Sequence, residues 1–395
     1  MNNQLILWLL DLDLITEYDL REDSSVFYFA FPDNKATKLL IPLGIPLEGH
    51  INSLKLYPSF TVSRKIKRAM AVYMKVLKPL MPSKFFLPLG DVSFAKDVYR
   101  RISTQVQYGY KINSCAIRIG SKGKGKKVIF QFQDKTNQVI SYIKVADTLQ
   151  RGPGLESEMK FLEYLASTCD DLFKVPRVLG VKRNASYVAL ELSPLTGFGF
   201  CSTLNFDQIT SMYEKLVTRT GSSVPSISFA GEQKRIRQYL TDLSMVEWVT
   251  EHVMNVKNNM PVFSLSNRDM PAWNVLMNKN GDIGILDWEF ARFDYNPFQD
   301  LFHFVLHTRL NNTKKRPANV LKKTLSDRTY IRSIVTFAKS IGVEDTSLIS
   351  SSFICYLWDW YSLEQDNADK PDQGQEYLEL LTWLKQNEDS NQYFV

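Results

Sequence analysis

Three oxygen-bearing side chains lie close together in the stretch NRDMPAWNVLMNKNGDIGILDWEFA, residues 267–291. Asp269 and Asn274 are five residues apart on a loop, and the Asn-Gly step that follows predicts a tight hairpin turn. The second strand of that hairpin leads to Asp287, so a carboxylate, an amide and a second carboxylate are expected at one end of a small sheet. Phosphoryl transfer uses such a set, because one carboxylate orients a hydroxyl and accepts its proton while further oxygen ligands hold Mg²⁺ on the nucleotide phosphates.

These residues resemble a known family. The run D-x-x-x-x-N, followed by a hairpin and an Asp, resembles the protein-kinase-like superfamily, and the tail I-L-D-W-E resembles its aminoglycoside phosphotransferase and choline kinase branch. In that branch the catalytic stretch reads H-G-D-x-x-x-x-N and the metal stretch reads I-D-W/F-E. Carried over by position, the resemblance implies that Asp269 is the catalytic base and that Asn274 and Asp287 are the Mg²⁺ ligands. Asp300, in PFQDL, matches the branch's P-x-x-D-L and is expected to be structural.

The chain upstream carries the remaining parts that the resemblance implies, in the expected order. Lys144, in YIKVAD, stands where the superfamily places the lysine that contacts the nucleotide phosphates. Glu158, in the following helix, stands where the ion-pair partner of that lysine belongs. Glu156 is the competing candidate, but only Glu158 has leucines, Leu162 and Leu165, at the expected offsets. The nucleotide is expected to be ATP or GTP.

A glycine- and lysine-rich loop, GSKGKGKK, precedes the predicted lysine strand. Gly120, Gly123 and Gly125 would let backbone amides approach the phosphates, and the neighbouring lysines would add charge. A glycine-rich hairpin with solvated lysines explains the same composition, so both interpretations stay open. Further along, Glu191 and Ser193 bound the segment that the resemblance implies as the hinge, whose backbone reads the adenine.

Two departures from the family pattern bear on activity. Asn267 stands where most of the family has His, whose part is to brace the catalytic loop, although Asn can also hydrogen-bond to backbone. The sequence N-R-D lacks the His-Gly step of small-molecule kinases, yet no A-P-E sequence and no activation-segment length separates Asp287 from Asp300. The sequence therefore predicts a kinase for the hydroxyl of a small polar metabolite, such as a sugar, an amino-alcohol or a glycan. The alternative is a catalytically silent kinase-like module that binds nucleotide or a partner.

Two histidines outside this set are candidate metal ligands. His303 and His307 are four residues apart, so on a helix they share a face and could bind zinc. No third ligand is evident apart from Asp300, so structural histidines are the preferred interpretation.

The predicted elements place these residues on a sheet followed by helices. Strands are expected at 115–119, 128–132, 139–145, 177–179 and 187–192, with a helix at 155–166 after a Gly-Pro-Gly loop. Helices follow at 205–218, 232–258, 300–310, 333–341, 347–364 and 376–386. A single hairpin, 275–277 with 283–288, interrupts them.

The resemblance and the element order predict an α+β, bilobal protein-kinase-like fold with a small antiparallel-sheet N-lobe and a mainly helical C-lobe. Residues 106–193 are the expected N-lobe and 194–395 the expected C-lobe. Residues 1–105 form an N-terminal α/β extension of unknown role, with strands at 26–31 and 38–43. A basic helix expected at 63–80 suits peripheral contact with an anionic membrane surface, and equally a solvated helix face.

Composition limits the class of protein. The 395 residues are 44% hydrophobic and 12% aromatic, which predicts a mostly folded chain. The net charge of +6 is too diffuse to argue for nucleic acid. No stretch approaches the ~20 apolar residues that a membrane span needs, and four widely separated cysteines fit reduced thiols. A cytoplasmic protein without a transmembrane segment is expected.

Overall fold

The computed structural model describes residues 9–10, 12, 14, 27–31, 39–43, 45–54, 86–88, 93–119, 127–148, 152–200, 206–225, 229–313, 315–366, 374–388 and 394. The glycine loop with Gly120, Gly123 and Gly125 and the basic helix at 63–80 lie outside these residues and stay predictions. The chain divides into two compact units. The first comprises Met1–Tyr164 and Pro176–Thr196, and the second comprises Leu165–Val175 and Gly197–Val395.

An antiparallel sheet of eight described strands forms the centre of the first unit. The strands are β1 (Phe27–Phe31), β2 (Leu39–Pro42), β3 (Phe86–Pro88), β4 (Ile112–Ile119), β5 (Lys127–Asp134), β6 (Val139–Asp147), β7 (Val178–Arg183) and β8 (Tyr187–Leu192). Their order is β3-β1-β2-β4-β5-β6-β8-β7, and all neighbours are antiparallel. The helices are α1 (Leu47–Ser53), α2 (Phe94–Ile102) and α3 (Gly152–Thr168), with a 3-10 helix at Val106–Lys111.

The sheet has an apolar face because side chains alternate along its strands. Val128, Phe130 and Phe132 of β5 are all fully buried. Helix α2 packs against this face, and the ring of Tyr99 meets that of Phe132 edge-on at a centroid distance of 5.0 Å. Full burial of one such large apolar side chain stabilises a fold by about 1.5–3 kcal/mol. Helix α2 is therefore part of the core of this unit.

The N-terminal segment is built into the same sheet. β2 pairs with β4, with Leu40 opposite Ile117. A polar seam attaches α1 to β5, since the Gln131 side chain donates to the Asn52 carbonyl at 3.0 Å and Gln133 donates to the Gly49 carbonyl at 3.2 Å. The sheet thus continues across residue 105, which is the predicted boundary between the N-terminal extension and the N-lobe. That boundary stays a prediction.

Helices dominate the second unit. They are α4 (Phe206–Thr220), α5 (Phe229–Tyr239), α6 (Leu243–Asn259), α7 (Gln299–Asn311), α8 (Pro317–Leu325), α9 (Arg328–Ser340), α10 (Thr346–Asp366) and α11 (Gln375–Gln386). The short strands are β9 (Gly199–Phe200), β10 (Ser264–Ser266), β11 (Val275–Met277), β12 (Ile283–Ile285) and β13 (Arg292–Tyr295). β11 lies between β12 and β9, and β10 pairs with β13. The predicted hairpin is the β11–β12 pair, and Gly281 in its turn has a φ of +88°.

Two predicted boundaries are wrong. The helix predicted at 232–258 is two helices, because the Asp242 side chain caps α6 by accepting a hydrogen bond from the Met245 N–H at 2.9 Å. The Gly-Pro-Gly segment is not a loop but the first turn of α3. Pro153 is tolerated there because the first N–H groups of a helix have no internal partner. For the same reason α8, absent from the prediction, begins at Pro317.

The α+β class is confirmed, with one antiparallel-sheet unit and one mainly helical unit as expected for the two lobes. All five strands and the helix predicted between residues 115 and 192 are present. In the part of the chain that the structure describes, no helix is both long and apolar enough to cross a membrane.

Candidate active site

The loop between β10 and β11 holds Asp269 and Asn274 in a fixed arrangement. The Asn274 side-chain amide donates to the Asp269 backbone carbonyl at 2.9 Å, and the backbone carbonyl of Asn274 accepts from the Leu286 N–H at 2.9 Å. With its amide nitrogen used in this way, the group that Asn274 can offer a cation is its amide oxygen. Leu286 immediately precedes Asp287, so the hairpin brings the loop and the third predicted residue into one site.

Asn267 joins the two carboxylate-bearing segments through a single side chain. Its Oδ1 accepts from the Asp269 N–H at 3.0 Å, and its Nδ2 donates to the Asp287 carbonyl at 3.0 Å. The side chain is fully buried, so these bonds are not exposed to competition from water. An amide is suited to this position because it both donates and accepts. One Asn side chain thus braces the segments that carry Asp269 and Asp287.

Asp300 fixes the backbone of the same loop from the first turn of α7. Its carboxylate accepts from the backbone N–H groups of Asn267 and Arg268, both at 2.7 Å, and from the Tyr213 hydroxyl at 2.6 Å. Burial raises the pKa of Asp300, and the hydrogen bonds that it accepts oppose that rise only in part. The contacts are those of the structural residue that the resemblance implied.

Arg268 and Asp359 form a buried ion pair that the sequence analysis missed. Arg268 Nη2 lies 2.5 Å from Asp359 Oδ1, and Nε lies 3.2 Å from Oδ2, so the contact is bidentate. The guanidinium also lies 4.8 Å from the ring centroid of Tyr295. Burial acts to raise the pKa of Asp359, but the charges of Arg268 and Arg235, together with the hydrogen bonds from Arg268 and Tyr295, outweigh it, and the pKa lies below its ordinary value. One feature of the sequence could have indicated this pair: Asp359 is a single acidic residue within the apolar run LWDWY of α10.

Two residues of the site have left-handed backbone conformations. The φ angles of Arg268 and Asp287 are +65° and +56°. Such conformations are unfavourable for residues with a Cβ, and they persist only where the surrounding structure enforces them. Asn267, Asp300 and Asp359 supply that enforcement through the bonds described above. The backbone geometry is therefore that of a preorganised loop.

In the first unit, Lys144 and Glu158 form the ion pair that the resemblance implied. Lys144 Nζ on β6 lies 2.6 Å from Glu158 Oε1 on α3, and both residues are buried. The competing Glu156 pairs instead with Arg183 at 2.7 Å on the surface. Because Glu156 and Glu158 are two residues apart on a helix, they point in different directions. Of the two candidate partners for Lys144, the ion pair is therefore made by Glu158 and not by Glu156.

The predicted hinge residues Glu191 and Ser193 also have partners within the first unit. The Glu191 carboxylate accepts from the Tyr99 hydroxyl at 2.9 Å and from the Ser103 hydroxyl at 2.5 Å. The Ser193 N–H donates to the Arg177 carbonyl at 2.9 Å. The Glu191 side chain is thus held by residues of the N-terminal segment. The role of this segment in reading adenine stays a prediction.

His303 and His307 lie side by side on α7, with ring centroids 4.3 Å apart. Among the described residues, no group of three or more His, Cys, Asp or Glu side chains is placed to hold a metal ion. The zinc interpretation therefore gains no third ligand from the structure. Instead, Nε2 of His303 lies 3.5 Å from Oδ1 of Asp269, a proximity that the sequence did not indicate.

No protein-family model matches the sequence, and no curated protein matches it. Among solved structures, the chain is similar to an aminoglycoside phosphotransferase from Streptomyces rimosus, at 13% identity over 60% of this chain and 90% of that one, with a TM-score of 0.42. It is similar to a choline kinase from Streptococcus pneumoniae at 14% identity, over 65% and 89% of the two chains, with a TM-score of 0.40. It is also similar to an ethanolamine kinase from Plasmodium vivax at 12% identity, over 84% of this chain and 92% of that one, with a TM-score of 0.43. The similar structures thus belong to the branch that the motifs resemble, but likeness at this level carries no argument about activity or acceptor.

Proposed function

We propose that this protein is a phosphotransferase that moves the γ-phosphoryl group of ATP to a hydroxyl of a small polar metabolite. The observation that carries the proposal is the bracing of Asp269 and Asp287 by one buried side chain, Asn267. In this reaction Asp269 orients the acceptor hydroxyl and accepts its proton. Asn274 and Asp287 are the oxygen ligands for Mg²⁺.

The donor set fits magnesium on chemical grounds. One carboxylate and one amide oxygen are hard ligands, and Mg²⁺ usually takes one or two protein carboxylates while it keeps waters and binds substrate phosphates. When bound, the ion neutralises charge on the phosphates. Lys144, oriented by Glu158, is proposed to contact the nucleotide phosphates, with GTP as the alternative donor. Most of the rate acceleration would then come from positioning and charge neutralisation.

The acceptor is proposed to be a sugar, an amino-alcohol or a glycan-like compound. The absence of an A-P-E sequence and of an activation-segment length between Asp287 and Asp300 favours a small molecule over a protein acceptor. An ATP-dependent reaction of this kind fits a cytoplasmic location. A screen of these compounds with a non-hydrolysable ATP analogue, by thermal stabilisation, would identify the acceptor class.

Substitution of the two acids tests the assigned roles. We expect Asp269→Asn to abolish phosphoryl transfer while Mg²⁺-dependent stabilisation by ATP is retained, because the amide cannot accept the proton. Asp287→Ala should lose the Mg²⁺-dependent part of that stabilisation. Asp294→Asn is the matched control, since Asp294 also has a positive φ of +50° and lies on β13 of the same unit. Full activity of both test variants on a confirmed acceptor would show that the roles are misassigned.

The catalytically silent module remains the alternative outcome of this experiment. Asn267 in place of His is the observation that motivates it. Stabilisation by Mg²⁺ and ATP without transfer to any acceptor in the screen would favour that alternative. The retained bracing by Asn267 favours the enzyme.

A further inference from the structure

A row of buried polar groups approaches Asp269 from the helices behind it. His303 and His307 lie on α7, Tyr356 on α10 and Tyr377 on α11. The His303 ring is stacked between Trp360, at a centroid distance of 4.2 Å, and His307, at 4.3 Å. Both neighbours are nearly parallel to it, with interplanar angles of 11° and 22°. The orientation of the His303 ring is therefore fixed from both faces.

On the surface side of this row, hydrogen bonds fix the tautomer of His307. The Asn311 side-chain amide lies 2.9 Å from Nε2 of His307 and also donates to the His307 carbonyl at 3.1 Å. A carbonyl only accepts hydrogen bonds, so the atom of Asn311 that contacts it must be the nitrogen of the NH₂ group. The same NH₂ group only donates, so Nε2 of His307 accepts from it. Burial lowers the pKa of His307 to about 3, so its ring is neutral at physiological pH. The single ring proton then resides on Nδ1, which lies 2.6 Å from the Tyr377 hydroxyl.

The Tyr356 hydroxyl lies 3.3 Å from Nδ1 of His303. Burial raises the pKa of Tyr356 well above its ordinary value, so the hydroxyl keeps its proton and can donate it to that nitrogen. Burial lowers the pKa of His303 well below its ordinary value. A neutral His303 that accepts at Nδ1 carries its proton on Nε2.

Nε2 of His303 faces the proposed catalytic base. It lies 3.5 Å from Asp269 Oδ1 and has no hydrogen-bond partner among the described residues. Its ring is fully buried, whereas the Asp269 side chain is 24% exposed. A slight approach of the two groups would complete the bond, and the Asp269 carboxylate is the acceptor in reach.

We propose that Tyr356 fixes His303 as its Nε2–H tautomer, and that the stacked rings of Trp360 and His307 aim that N–H at Oδ1 of Asp269. His303 is then a positioning residue, because it anchors Oδ1 of the proposed catalytic base. A neutral donor does this without placing a cation beside the base. The role of His303 in positioning Asp269 for catalysis rests on the proposed function. The assignment of the histidine tautomers does not depend on it.

Histidine-selective ¹⁵N NMR tests the tautomers directly. The chain has only 4 histidines, so single substitutions assign the spectrum. At pH 7 we expect His303 protonated on Nε2 and His307 on Nδ1. Tyr356→Phe should release the constraint, so that His303 becomes a mixture of tautomers. Tyr330→Phe is the control, since the buried Tyr330 hydroxyl has no hydrogen-bond partner in the described structure. A His303 that carries its proton on Nδ1, or that is charged at pH 7, overturns the proposal.

A second NMR measurement tests the hydrogen bond between His303 and Asp269. Asp269→Asn should move the Nε2–H resonance of His303 upfield, because a charge-assisted hydrogen bond becomes a neutral one. Asp294→Asn should leave that resonance in place. An unchanged resonance in the Asp269 variant would show that His303 does not bond to the carboxylate.

Kinetics then separate positioning from mere packing. In phosphoryl transfer from MgATP to the acceptor that the screen identifies, His303→Leu should lower kcat roughly tenfold to a hundredfold, as expected for a misplaced catalytic group, and leave the KM for ATP unchanged. His303→Gln, which restores an N–H donor, should recover most of kcat. Equal losses in the two variants would exclude the positioning role. An inactive wild-type protein with the expected tautomers would instead count against the proposed function.

Discussion

The properties of one amide determine how the candidate site is held. Asn267 accepts from the Asp269 N–H and donates to the Asp287 carbonyl, and both bonds are buried. The amide offers a donor and an acceptor in one plane. Since an amide does not titrate, this brace is independent of pH. The loop between β10 and β11 is therefore held in one arrangement across the whole pH range.

Removal of the amide should affect stability and turnover together. We expect Asn267→Ala to lower the free energy of unfolding by about 1–3 kcal/mol, because the Asp269 N–H and the Asp287 carbonyl lose a buried partner. Turnover should fall more than this loss of stability explains, since both carboxylates lose their alignment. Denaturant unfolding and phosphoryl-transfer assays measure the two effects. Asn278→Ala, in the exposed hairpin turn, is the comparison variant. If Asn267→Ala and Asn278→Ala behaved alike, the brace would have no special role.

At the scale of elements, helix phase decides which acid contacts the strand lysine. Helix α3 begins at Gly152, and its phase directs Glu158 inward to Lys144 and Glu156 outward to Arg183. The apolar offsets in the sequence identified the same acid. A buried pair of this kind contributes little net stability, since desolvation of the two charges opposes their attraction. Its value is to hold the lysine in one orientation.

Paired substitutions on α3 test this assignment. Glu158→Gln should weaken binding of ATP with Mg²⁺ by about tenfold, which corresponds to about 1.4 kcal/mol, because Lys144 loses its charged partner. Glu156→Gln should change the affinity by less than about twofold, since its ion pair with Arg183 is exposed. Isothermal titration calorimetry with the non-hydrolysable analogue gives both values. Equal effects would mean that Glu158 does not orient the phosphate-binding lysine.

At the scale of the whole molecule, remote segments complete each unit. The N-terminal strands extend the sheet, and Tyr99 and Ser103 hold Glu191 from 92 and 88 residues away. In the second unit, α10 and α11 supply Asp359, Tyr356 and Tyr377 near the loop between β10 and β11. Buried groups from these distant segments also make the stability of the molecule depend on pH.

Histidines kept neutral by their surroundings should make the protein less stable as the pH falls. Burial lowers the pKa of His307 to about 3 and that of His303 well below its ordinary value, so the folded chain binds fewer protons than the unfolded chain below pH ~6.5. Each of these two imidazoles should reduce the free energy of unfolding by about 1 kcal/mol per pH unit below that value. His307→Gln should lower the slope between pH 6.5 and 5 by this amount. Chemical denaturation across this range measures it, and identical slopes would show that His307 is not buried in its neutral form.

Much of the site could be predicted from the sequence because it depends on local patterns. The spacing of Asp269 and Asn274, the Asn-Gly turn and the strand that leads to Asp287 lie within one stretch of 25 residues, 267–291. Turn chemistry and side-chain periodicity act over such distances. The same holds for the strands and the helix that carry Lys144 and Glu158.

Only the tertiary structure decided which remote side chains meet this stretch. Arg268 pairs with Asp359 across 91 residues, and His303 reaches Asp269 although no motif connects them. The continuation of the sheet into β1–β3 likewise depends on strand pairing across long intervals. Such contacts form because buried polar groups must find partners wherever packing places them, and no local pattern encodes that requirement.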